Sequence, residues 1–241
     1  VNVTTERVAL CMPVWDQVFP KAWMAHLQLM AELARTIPKD NLGLFYSHGL
    51  TQPHAQNFLV QSVLSNSQSY GVVAHPIPGG PADWILWVEH DTTPPPDAFH
   101  LLRAHADATK RPVMHGVSFD KKYPFAPSIW EAHKSGQGIR PMYDWEPNTL
   151  YRVAHSGTCI SLFHTSVFDK LKRPWYRMKP FEPDGAGMIP CISLTKRMHE
   201  AGVPIFAYTG CVAGHIGERQ EITEQVSRET VRRHRCDTST S

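Results

Sequence analysis

The chain has 241 residues, 42% of them apolar and 10% aromatic, which excludes disorder as its main state and allows one sizeable core. Its 24 Lys and Arg nearly cancel its 22 Asp and Glu, leaving a formal charge of +2 and a globular composition. Trp84–Val88 is an apolar run far below the ~18 residues a membrane span needs, and no charged-then-apolar leader precedes the first strand.

In chain order, Arg7 to Met12 forms a short apolar run closed by Pro13 and reads as a buried strand. Trp23, Leu27, Met30, Ala31 and Ala34 recur at helical spacing until Pro38 stops the pattern. Leu42 to Tyr46 is a second strand, and Phe58, Val60, Val63 and Leu64 lie on a second, less regular helix. A Gly/Pro-rich turn over 76–81 leads into a third strand, Trp84 to Val88, apolar on both faces. Two-faced strands alternating with amphipathic helices predict an α/β fold, with a mostly parallel central sheet covered by helices on both sides.

Further along, Val113 to Val117 and Cys159 to Phe163 read as strands, and Val167 to Leu171 as a short helix. Residues 119–150 carry Pro, Gly, Trp and Tyr without a sustained period, the mark of long loops around a site. A helix over 191–201 closes at Gly202, and Val203 to Tyr208 forms a last strand. From Glu218 the chain reads as a surface helix with Glu224 and Arg228 at i,i+4 spacing, ending in a frayed tail. One domain over 1–217 with a helical tail over 218–241 follows. The five cysteines, Cys11, Cys159, Cys191, Cys211 and Cys236, are odd in number and without a C-x-x-C, so reduced thiols in a cytoplasmic protein are expected.

The most informative stretch is Trp84-Ile-Leu-Trp-Val-Glu89-His90-Asp91-Thr-Thr-Pro-Pro-Pro96-Asp97. If the extended path continues through Asp91, Glu89 and Asp91 project to one side at the carboxyl end of a buried strand. Open α/β sheets bind their ligands at that edge. Two such carboxylates would repel, and a divalent cation such as Mg²⁺ or Mn²⁺ resolves the repulsion with oxygen ligands. A plain solvated strand end is the alternative. Pro94 to Pro96 stop the strand, and a helix follows from about Asp97.

With those residues in view, the chain resembles the GT-A-fold, nucleotide-sugar-dependent glycosyltransferases, close to glycosyltransferase family 2. Glu89-His90-Asp91 followed by three prolines is similar to the family's Asp-x-Asp and Pro-rich helix start, with Glu in place of the first Asp. Ser156-Gly157-Thr158, Val167 to Leu171 and Pro174-Trp175-Tyr176 resemble the family's Gly-containing strand, short helix and Pro-Trp-aromatic turn. His199 to Gly202 and Gly214-His215-Ile216-Gly217 resemble the closing helix and the metal-binding His. The likeness runs from residue 7 to 217. It departs from the family at Pro190-Cys191, where many inverting relatives place an acidic pair that includes the catalytic base.

The resemblance implies transfer of a sugar from a nucleotide diphosphate donor, UDP- or GDP-linked, to a hydroxyl acceptor. A Mn²⁺ or Mg²⁺ ion held by Asp91 and His215, assisted by Glu89, would neutralise the departing diphosphate. Pro13, Trp15 and Asp16 are the candidates for contacting base and ribose, Asn57 stands where relatives have an Arg-Asn, and Gly157 belongs to the donor site. Asp184, one of the nearest carboxylates to the altered position, is the candidate base, with a loop cap as its alternative role.

For the acceptor, Lys170, Lys172, Arg173, Arg177 and Lys179 interleave with Trp175 and Tyr176. That pattern suits a polyanion such as single-stranded or flipped-out nucleic acid, or else a solvated helix end with a packed Pro-Trp. A saccharide and a modified, hydroxymethylated DNA base are both acceptors in play. A metallohydrolase is disfavoured by the lack of an H-E-x-x-H cluster, and no phosphate-binding P-loop or dinucleotide G-x-G-x-x-G is present. The non-catalytic alternative is a nucleotide-sugar- or carbohydrate-binding protein on a degenerate transferase scaffold.

Overall fold

The chain enters the fold through strand β1, Val8–Pro13, all six residues of which are buried. A computed structural model describes residues 5–14, 18–132, 138–178, 189–217 and 220–239. Helix α1, Pro20–Thr36, follows, with Pro20 in its first turn and its end at the extended Ile37, just before Pro38. A proline there loses no helical hydrogen bond at the start, and one beyond the end cannot continue the helix. Strand β2, Leu42–Ser47, then leads to helix α2, Gln52–Ser65, which closes on Asn66 in the left-handed conformation (φ 47°). Strand β3, Val72–His75, and β4, Trp84–Val88, come next, followed by the two-residue β5, Thr92–Thr93, and helix α3, Ala98–Arg103.

The second half begins with β6, Val113–Val117. Short strands follow: β7, Ile129–Ala132; β8, Ile139–Pro141; β9, Leu150–Arg152; and β10, His155–Ser156. Strand β11, Ile160–His164, helix α4, Pro190–Glu200, and β12, Ile205–Val212, complete the main body. Strands β13, Gly214–Ile216, and β14, Glu221–Ile222, precede the last helix, α5, Glu224–Ser239. The tail helix therefore starts later than Glu218, because Glu221 and Ile222 pair with β13 instead.

Eight strands form the central sheet in the order β3-β2-β1-β4-β11-β6-β12-β9. The expectation of a mostly parallel sheet is corrected here: β1 pairs in parallel with β2 and β4, and β6 with β12, but the other four pairings are antiparallel. The reason lies in the connections. A parallel neighbour needs a crossover that carries the chain back along the sheet, usually a helix. After β6 the described chain runs through short strands and turns, and β11 returns antiparallel between β4 and β6.

Both faces of this sheet are packed, as the two-faced β4 predicts. On one side Trp84, Leu86 and Val88 meet Leu29 and Leu33 of α1 and Phe99 and Leu102 of α3. On the other, Ile85 and Trp87 meet Leu59 and Val63 of α2 and Leu194 and Met198 of α4. Each large side chain so buried contributes roughly 1.5–3 kcal/mol. Two three-stranded sheets sit apart from the main one: β10-β7-β8, and β14-β13-β5. The residues over 119–150 thus include strand as well as loop. Among the described residues, Cys11, Cys159, Cys191 and Cys211 are free thiols, and no helix is long and apolar enough to cross a membrane.

Candidate functional site

Two small structural devices bring the acidic turn and His215 together. The first is the end of β4. The extended path stops at Val88, and Thr92 N–H donates to the Glu89 carbonyl (3.1 Å), so Glu89 to Thr92 is a turn rather than a continued strand. Glu89 and Asp91 nevertheless line the same cleft, because the turn folds them together. His26 of α1, fully covered, donates from Nε2 to the Thr92 carbonyl (3.0 Å) and pins that turn from behind.

The second device is the β14-β13-β5 sheet. His215 pairs with Thr92 and Gly214 with Thr93, and Ile216 N–H donates to the Asp91 carbonyl (2.8 Å). A Cβ on Gly214 would lie 2.4 Å from both Thr93 Oγ1 and Glu221 Oε1, so only glycine lets the strands approach this closely. Thr93 donates to Glu221, which also pairs with Lys21 of α1.

The cleft so formed has a volume of about 270 Å³. Glu89, Asp91, Gly157 and His215 all line it, so four residues marked in the sequence converge although they come from three separate stretches of chain. Asp91 is 3% exposed. Its Oδ2 is ion-paired with Lys121, while Oδ1 has no hydrogen bond and faces His215 Nε2 at 3.4 Å. His215 Nδ1 lies 2.6 Å from the Phe119 carbonyl, which can only accept, so Nδ1 carries the proton and Nε2 is turned toward Asp91. Thr158 donates to Glu89 Oε1 (3.0 Å).

The electrostatics follow from burial and these neighbours. Burial pushes the Glu89 carboxyl up to about 7, with the Asp91 charge adding to the shift. Burial would raise Asp91 as well, but His215, His90 and Lys121 outweigh it and hold Asp91 well below the usual carboxylate range. At His215 burial opposes protonation, yet the Asp91 charge wins and the pKa is raised. Near neutral pH the turn therefore holds one firmly ionised carboxylate beside one that exchanges its proton.

Among the described residues no group of three or more His, Cys, Asp and Glu side chains is arranged to hold a metal ion. What is present is narrower: a carboxylate oxygen without a hydrogen bond, and an imidazole nitrogen turned toward it by a backbone carbonyl. That pair fits one edge of the shell of a cation such as Mg²⁺, which keeps waters and takes its other ligands from a bound phosphate. It does not fit an all-protein cage.

The remaining candidates fall elsewhere. Asn57 donates to the Pro53 and Tyr176 carbonyls (2.7 and 2.8 Å) and accepts from Tyr176 N–H (3.1 Å), which clamps α2 to the turn after Pro174. Pro13 is buried at the end of β1, in register with Ser47. Trp15, Asp16 and Asp184 lie outside the described residues. Pro190, where the resemblance would place an acidic pair, opens helix α4 from its first turn, a role that suits proline. Trp175 and Tyr176 are 3% and 1% exposed, and Tyr176 stacks on Trp87 with ring centres 5.4 Å apart. The basic-aromatic stretch therefore offers no stacking platform: its rings are core.

Lys121 is the residue that sequence reasoning misses. Its signal is present, since Asp120-Lys121-Lys122 follows β6 by only two residues and so sits at a strand's end. Beyond the acidic turn, His26 also lines an apolar hollow of about 280 Å³ with Trp23 and Tyr46.

No family model matches this chain, and no curated protein does. Its fold is that of an α/β domain with a large mixed sheet flanked by helices. Among solved structures it is similar to the one titled "Crystal Structure of A197 from STIV", with a TM-score of 0.55 and 15% identity over 91% of each chain. Likeness at that identity speaks for the fold.

Proposed function

We propose that this protein is a GT-A-type glycosyltransferase that uses a nucleotide-diphosphate sugar and a divalent cation. The observation that carries the reading is the Asp91–His215 pair: a buried carboxylate whose Oδ1 makes no hydrogen bond and stands 3.4 Å from His215 Nε2. The order β3-β2-β1-β4, with an antiparallel strand between β4 and β6, supports the GT-A assignment, as does the placement of Glu89 and Asp91 after β4.

Asp91 and His215 would hold Mn²⁺ or Mg²⁺, with Glu89 beside them once it is deprotonated. The cation would supply charge neutralisation for a departing diphosphate. The chain's own residues do the rest. Thr158 and the Glu89–Thr92 turn fix the carboxylates before any ligand arrives, so little reorganisation is left for the reaction. Trp23 and Tyr46 supply rings for a nucleobase in the neighbouring apolar hollow. Gly157, where a Cβ would sit 3.1 Å from Ser128 Cβ, keeps the cleft wall thin beside Glu89. The acceptor is a hydroxyl-bearing molecule, a saccharide or a hydroxymethylated DNA base.

A second reading, nucleotide-sugar binding without turnover, is favoured by one observation. The start of α4 carries Pro190 and Cys191 where inverting relatives carry the base. The two are separated by assay. Mn²⁺ with a matching UDP- or GDP-sugar is expected to raise the melting temperature, because a ligand that binds only the native state stabilises it. Donor hydrolysis or transfer then distinguishes catalysis from binding. No shift with any nucleotide sugar, with or without metal, sinks both readings. Unchanged metal-dependent turnover in Asp91→Asn sinks the assignment of the cation to Asp91.

A further inference from the structure

Lys121 is in an unusual position for a lysine that ion-pairs. Its side chain is 40% exposed, yet Nζ reaches in to a carboxylate whose side chain is only 4% exposed. The loop that carries it is a pinned strap. Asp120 N–H donates to the Ala126 carbonyl (2.8 Å), Phe125 N–H donates to the Lys122 carbonyl (2.7 Å), and Phe125 sits at a φ of 57°. A bulky residue in the left-handed region is strained, and such strain is held where surrounding structure demands it. Here the demand comes from α5: Ser227 Oγ donates to the Phe125 carbonyl (2.6 Å), and the Tyr123 ring meets His234 edge-on at 5.6 Å. The strap's backbone is thus tied down, while Lys121 hangs on a flexible four-carbon stem.

Asp91 presents two oxygens to two different neighbours, Lys121 at Oδ2 and His215 near Oδ1. A buried carboxylate without a counter-ion is costly, and Lys121 shares the compensation of Asp91 with His215 and His90; of the three it alone sits on a mobile stem that can leave. A divalent cation on Asp91 would repel the lysine ammonium at close range. The two cations are then compatible only if an anion lies between them. A diphosphate is such an anion, and a lysine's compact, mobile charge is suited to it.

We propose that Lys121 is an exchangeable counter-ion: it holds Asp91 until a divalent cation takes its place there, then turns to the diphosphate of the nucleotide ligand. This rests on the nucleotide-sugar reading of the cleft and deepens it. Lys121 becomes the residue that couples the two ligands: it competes with the cation and binds the nucleotide. Linkage then requires each to strengthen the other's binding.

The test is calorimetric titration of the full chain and of Lys121→Met and Lys121→Arg with MnCl₂ alone, with UDP and GDP alone, and with each nucleotide in the presence of Mn²⁺. Lys121→Met is expected to bind Mn²⁺ alone about fivefold more tightly and the Mn²⁺-loaded nucleotide about fivefold more weakly, the scale of one solvent-facing ion pair. Lys121→Arg, which keeps the charge, should retain most of the coupling. Equal affinities in wild type and Lys121→Met overturn the proposal. So does a parallel weakening of both ligands, which marks Lys121 as a purely structural support for Asp91. If the wild-type chain binds neither Mn²⁺ nor a nucleotide, the nucleotide-sugar reading itself fails, and the counter-ion role falls with it.

Discussion

The chain up to Thr93 and the stretch from Ser118 to Ile222 are built on different principles. In the first, strands β1, β2 and β4 run parallel with both faces covered, and helices α1 and α2 return the chain between them. In the second, short strands, turns and small sheets place single side chains: His215 through its pairing with Thr92, Lys121 through a strap, Gly157 against Ser128. The first region supplies an edge with two carboxylates. The second supplies the groups that face them. The candidate cleft lies at their boundary, because a turn anchored to a rigid sheet edge can hold charges together that a loop alone would let drift apart.

Substitutions on either side of that boundary should therefore fail differently. The largest expected loss is in the scaffold. Trp87→Ala removes a fully buried ring stacked on Tyr176 and should cost about 3–5 kcal/mol in urea denaturation. A loss under about 1 kcal/mol would show that the two halves do not share this core.

At the boundary itself, Glu89→Gln should stabilise the protein while weakening Mn²⁺ binding. The sign follows from the proton balance. An unfolded glutamate ionises near pH 4.5, whereas burial and Asp91 raise the native carboxyl to about 7. Between those values the native state holds the extra proton, so stability falls as pH rises through the window. The melting-temperature gain of Glu89→Gln should thus be larger at pH 8 than at pH 5, with a gain on the order of 1–3 kcal/mol at pH 8. A gain independent of pH would remove Glu89 from the set of strained groups.

On the loop-built side, Gly214→Ala forces a methyl to within 2.4 Å of Thr93 Oγ1 and Glu221 Oε1. Overpacking of this kind costs about 1–3 kcal/mol. Its signature should be displacement of His215, so Mn²⁺ affinity is expected to fall further than stability does. Retained affinity would mean that the β13–β5 pairing does not position His215.

The smallest effect belongs to the rim. Arg7 and Asp83 pair at 2.9 Å with side chains about a third exposed, and Asp83→Asn should cost at most ~1 kcal/mol. Burial would raise the Asp83 carboxyl, but the bonds from Arg7 overcome it and lower its pKa. Its contribution is present above the unfolded carboxylate pKa and is lost as pH falls through the lower native value. Wild type and Asp83→Asn should therefore converge in stability below about pH 3.

Much of the scaffold is legible in the chain's own residues, and for one reason. Runs such as Val8–Pro13 and Trp84–Val88 are apolar without a gap, and a strand covered on both faces needs nothing else. Helices α1 and α4 begin at prolines, and α1 ends just before another. The direction of β11 is not legible, because an apolar strand carries no mark of which way it runs. The candidate site divides the same way. Glu89 and Asp91 stand out by their place after β4, and His215 by its flanking glycines and its likeness to a family position. Asn57 is marked by that likeness alone, yet its side chain holds a turn.

The residues alone thus determined an α/β core of 241-residue scale and an acidic pair at a strand's end. Composition and period suffice for that, since burial of apolar faces is a local pattern summed along the chain. Tertiary structure alone decided that β4 ends in a turn and that Trp175 and Tyr176 are core. It alone placed Lys121 on Asp91, thirty residues away in sequence. Those outcomes depend on which distant groups can neutralise a buried charge or fill a given space, and no stretch of sequence carries that information by itself.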